Sequence, residues 1–104
     1  MGANVMHQNN NRSSEDILAE LLTQLYTGAI TEGELLQNVR KKVLRLSQSE
    51  YAKLTGVSRR TISAVEQNQV TPSLKAYIAL FKPIGLQPGL LPRRTIEGVH
   101  PLAY

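Results

Sequence analysis

Cysteine is absent from this 104-residue chain, aromatic residues make up only 5% of it, and Asp16 is the sole aspartate. Without thiols, neither a disulfide framework nor a thiolate metal site can form. The two histidines, His7 and His100, fall in segments read below as tails, and the chain has no HExxH or P-loop pattern. Catalysis, a metal site and a cofactor are therefore not expected. No apolar run approaches the roughly 20 residues of a membrane span. The N-terminus has no cationic segment followed by an apolar stretch, so no signal peptide is expected. A soluble, cytoplasmic protein without a membrane partner is the default expectation.

What is present is enough for one small domain with tails: 41% of the residues are apolar. The net charge of +4 is unevenly spread. Residues 1–39 set Arg12 against Glu15, Asp16, Glu20, Glu32 and Glu34, a net of −4. Residues 40–94 carry eleven Lys/Arg against Glu50 and Glu66, a net of +9. A basic half suits a polyanion, but many basic surfaces bind no nucleic acid.

Residues 1–12 are polar and read as a disordered leader. A first helix is expected over 13–28. Ser13 or Ser14 caps it, Glu15 and Asp16 follow at the positive end of the helix dipole, and Gly28 stops it. Its stripe of Ile17, Leu18, Leu21, Leu22 and Leu25 either covers the core or meets a partner. Thr31 and Glu34 form a capping-box pattern. The helix they open points Leu35, Leu36, Val39, Val43 and Leu44 inward, with Arg40, Lys41 and Lys42 between. A membrane-surface helix is the minor alternative there.

Gln48 to Gln67, QSEYAKLTGVSRRTISAVEQ, is the most informative stretch. Ser47 and Glu50 make a third capping box, opening a helix over about Gln48–Leu54. Ala52 is small where crossing helices approach, and Gly56 suits a turn that needs positive φ. Ser58 caps a second helix over Arg59–Glu66, in which Ile62 and Val65 share the inner face with Val57 nearby. This pattern is a helix-turn-helix, whose second helix can lie in a DNA major groove. Beyond it, Thr71 is expected to cap a fifth helix with Pro72 at its first position. That helix buries Leu74, Ile78, Leu80 and Phe81 and ends at Pro83. Residues 87–104 form an irregular, proline-interrupted tail, with a short edge strand around Gly89–Leu91 as the one candidate for regular structure.

The ordered set Gln48, Ala52, Gly56, Val57, Ser58, Ile62 and Glu66 resembles the Cro/CI-type (Xre) helix-turn-helix of phage repressors and bacterial antitoxins. The likeness extends from about Leu35 to Leu86. It implies an all-α, lambda-repressor-like DNA-binding domain over 31–86, to which the first helix and the proline-rich tail are additions. It also implies a homodimer on double-stranded DNA, with recognition helices about 34 Å apart over an inverted repeat, in a bacterial or phage setting. The antitoxin members add an alternative partner, a toxin protein.

Base reading then falls to Arg59, Arg60, Ser63 and Ala64. An arginine bonds guanine O6 and N7 together, a pair that discriminates by roughly 1–3 kcal/mol. Ala64 stands where many relatives carry a long polar side chain, so the readout is expected to lean on the arginines and on DNA shape. Phosphate contacts are expected from Gln48, which bonds phosphate in the resembling family, and from Lys53, Ser58, Thr61, Gln67, Asn68 and Lys75. Gln67–Asn68 replaces the more usual Asn–Gly, and asparagine tolerates the left-handed turn. Glu66 would repel phosphate, so it is expected to pair inward with a base. The resemblance points to Arg40 if the extra residue near Leu44–Arg45 lies in the connection, and to Lys41 otherwise.

Overall fold

The computed structural model describes residues 13–89. The expected leader and most of the expected tail, including the strand beyond Gly89, lie outside the described residues. Within them the fold is all helical: α1 (Ser14–Tyr26), α2 (Glu32–Asn38), α3 (Gln48–Thr55), α4 (Arg59–Glu66) and α5 (Leu74–Phe81).

Local chemistry sets most of the boundaries. The Ser13 hydroxyl accepts from the Asp16 N–H at the start of α1. Thr31–Glu34 and Ser47–Glu50 form complete capping boxes that open α2 and α3. Each box satisfies two backbone donors that a helix start would otherwise leave free. Gly56 closes α3 at φ 76°, and its N–H donates to Ala52 O at 2.9 Å. A side chain at that φ would be strained, so the turn depends on glycine.

The connection after α2 differs from a plain helix. Val39–Val43 form a π-helical turn, with the Leu44 N–H donating five residues back to Val39 O at 2.9 Å. Arg45 follows at φ 57°. The wide turn holds one residue more than an α-helical turn does. Val39 and Arg40 are buried within it, while Val43 and Leu44 are half-buried against the core.

The core joins all five helices through Leu21, Leu35, Leu36, Val39, Tyr51, Ile62, Val65, Leu80 and Phe81. Ala52 and Val57 pack against it, partly buried. The fully buried Tyr51 donates its hydroxyl to Leu80 O, tying α3 to α5. Gly33 meets the end of α4 at such close range that a Cβ there would run into Val65 O and Asn68 Oδ1.

Two expectations for α5 are corrected. Its cap is Ser73, which accepts from the Ala76 N–H at 3.2 Å, so Thr71 and Pro72 precede the helix. Both hydroxyl residues can cap; the one used starts a helix whose Tyr77, Leu80 and Phe81 turn inward. Leu74 and Ile78 lie on the flank of those three and remain 66% and 42% exposed, outside the core. Pro83 does follow the end of α5, inside a 3-10 turn over Lys82–Ile84.

Candidate nucleic-acid interface

Two faces of α4 set the geometry of the site. On the inner face Ile62, Val65 and Glu66 are buried. Glu66 receives two bonds from one guanidinium: Arg40 Nε at 2.7 Å to Oε2 and Arg40 Nη2 at 2.9 Å to Oε1. The two side chains are only 5% and 2% exposed. Arg40 Nη1 also donates to Leu46 O at 2.8 Å, which fastens the connection before α3 to the same pair. The bond to Glu66 holds the Arg40 pKa above its ordinary value, against the opposing effect of burial. Burial, then the Glu66 charge, pushes the Tyr51 hydroxyl up to about 12. The alternative partner, Lys41, is exposed.

Glu66 also orients a group at the surface. Gln48 Nε2 donates to Glu66 Oε1 at 3.1 Å. The Gln48 side chain keeps its amide oxygen and a second N–H for other partners.

The outer face is open. Arg59 and Arg60 are exposed and Ser63 and Ala64 half-buried. With Gln48 and Gln69 they surround a shallow hollow of about 410 Å³. The structure thus brings the four expected base-reading residues and Gln48 around one space. Gln69 is an addition that the sequence alone did not signal. At the start of the helix, the Ser58 hydroxyl accepts from the Thr61 N–H and donates to Thr61 Oγ1 at 2.9 Å. At its end Gln67 Nε2 donates to Ser63 Oγ at 3.3 Å.

The other expected contacts are dispersed. Thr61 and Lys75 line a second hollow, of about 440 Å³, between the glycine turn and α5. Asn68 adopts the left-handed conformation at φ 59° and lies against Gly33. Lys53 is exposed in the last turn of α3. Among the described residues, no group of three His, Asp or Glu is placed to hold a metal ion. No helix there is long and apolar enough to cross a membrane.

A short helix held by its inner face, with a basic outer face beside a glycine turn, defines a DNA-binding protein of the helix-turn-helix class. The chain belongs to the Helix-turn-helix family, whose profile matches residues 36–91. Within that family it is of the Cro/CI (Xre) type, a DNA-binding transcriptional regulator with DNA as its partner. The match covers α3, α4, α5 and the last three residues of α2, and leaves α1 outside. No curated protein and no solved structure matches the chain.

Proposed function

We propose that the protein is a sequence-specific repressor that binds an inverted-repeat operator as a homodimer, without catalytic activity, in the cytoplasm of a bacterium or phage-infected cell. The observation that carries this reading is the pair Arg59 and Arg60, exposed beside the hollow on α4 while the opposite face is locked to the core. In the groove, the arginines read guanine edges, Ser63 donates or accepts, and Ala64 meets a thymine methyl. Gln48, Lys53, Ser58, Thr61, Gln67, Asn68 and Lys75 are the proposed phosphate contacts that set register. A gel-shift assay with the DNA upstream of the protein's own gene tests this. Binding is expected to be specific, to weaken steeply with salt as phosphate counterions are released, and to follow two half-sites one helical turn apart. A chain that stays monomeric at micromolar concentration would count against the inverted repeat.

A second reading, an antitoxin that neutralises a toxin protein and represses its own operon, is favoured by the flank. Tyr26 of α1 is 63% exposed. Beside it an apolar groove of about 230 Å³ runs between α1 and α5, lined by Leu22, Leu25, Phe81 and Leu86 among others. Co-purification with the product of an adjacent small gene distinguishes this reading from a plain repressor.

A further inference from the structure

We infer that Gln69, which lies beyond α4 in the chain, is a further specificity-determining residue that reads an A·T pair beside the positions read by Arg59 and Arg60. The inference rests on the proposed reading of α4 as the helix that enters the groove.

Three observations converge. Ser63 and Ala64 are short, so the middle of the reading face is a hollow rather than a row of reaching side chains, and Gln69 forms part of its wall. The backbone after α4 is not a loose loop. The Asn68 N–H donates to Val65 O at 3.0 Å and the Gln69 N–H to Ala64 O at 2.9 Å, with Asn68 left-handed between them. That pair of bonds is a Schellman motif, which fixes the residue two beyond the cap against the last turn of the helix. Gln69 is therefore held beside Ala64, whose methyl can offer a base no hydrogen bond.

Its side chain is oriented as well. Gln69 Nε2 donates to Gln67 Oε1 at 3.0 Å, and Gln67 Nε2 donates in turn to Ser63 Oγ. This relay uses one Gln69 N–H and leaves its amide oxygen and second N–H. Those are the acceptor and donor that pair with adenine N6 and N7. Gln67 is accordingly a positioning residue for Gln69, in addition to its proposed phosphate contact.

The test is selection from a pool of random-sequence duplexes by the full chain, Gln69→Ala and Gln69→Arg. The wild-type pool is expected to show an A·T preference at one position of each half-site, next to the guanine preferences set by the arginines. Gln69→Ala levels that position alone and weakens the wild-type-selected duplex roughly tenfold or more, with the salt dependence unchanged. Gln69→Arg moves the preference there to guanine, a change that loss of folding cannot imitate. Identical preferences for all three proteins would overturn the inference while leaving α4 as the reader. A wild-type pool with no enriched sequence would overturn the reading of α4 and this inference with it.

Discussion

The two faces of α4 differ in what their charged side chains meet. On the inner face, Glu66 accepts from Arg40 and Gln48. On the outer face, Arg59 and Arg60 take part in no ion pair among the described residues. A buried bidentate pair gives rigidity but costs desolvation, so losing either partner is expensive. An exposed arginine contributes little to folding and keeps its donors for DNA. On the proposed reading, stability and recognition therefore separate across the width of one helix. Gln48 and Ser63 are the crossing points, because each holds an internal bond and also borders the hollow.

The largest effect should come from breaking the inner face. Glu66→Ala strands the Arg40 guanidinium and is expected to cost about 3–5 kcal/mol in urea denaturation. Arg40→Lys should recover only part of the loss measured for Arg40→Ala, because an ammonium cannot reproduce the two-bond fork. Gly33→Ala comes next. Its Cβ would meet backbone carbonyls at the end of α4, and a cost of about 1–3 kcal/mol is expected from overpacking. This variant sharpens the comparison, since it should also weaken DNA binding by shifting the end of the reading helix.

The outer face should behave in the opposite way. Arg59→Ala or Arg60→Ala is expected to leave unfolding within about 0.5 kcal/mol of wild type. The best-matched duplex should lose affinity by roughly 1–3 kcal/mol where the arginine is bidentate. The smallest effect follows from the tyrosines. Burial raises Tyr51 to about 12, and burial with the Glu32 bond raises Tyr77 to about 12. A raised folded pKa stabilises fully below the unfolded value near 10. That contribution is lost as pH rises from about 10 towards 12. Melting temperature should fall over that interval, less steeply in Tyr51→Phe.

The same division explains what the sequence made legible. The α3–α4 stretch could be read because its signals are local: a capping box, a glycine at the turn, a serine cap and apolar residues three apart. The choice between Arg40 and Lys41 depends on the π-helical turn at Val39–Val43, within which Arg40 is buried and Lys41 exposed. The signals in α5 are ambiguous for a different reason. Thr71 and Ser73 are equally plausible caps, and the apolar Leu74 and Ile78 carry no mark of the flank they occupy. No local pattern marks Gln69; its place beside Ala64 depends on the left-handed Asn68 and two backbone bonds. The groove at α1 and α5 likewise joins residues more than 50 positions apart, which no local pattern connects.

The central claim is that the outer face of α4 recognises DNA independently of what holds the helix in place. Its most direct test is a polarisation titration of the protein's own upstream duplex with the wild type and the Arg59→Ala/Arg60→Ala double variant, both shown to be folded. The account predicts that specific binding is lost at an unchanged unfolding midpoint. Undiminished binding by the folded double variant would contradict it.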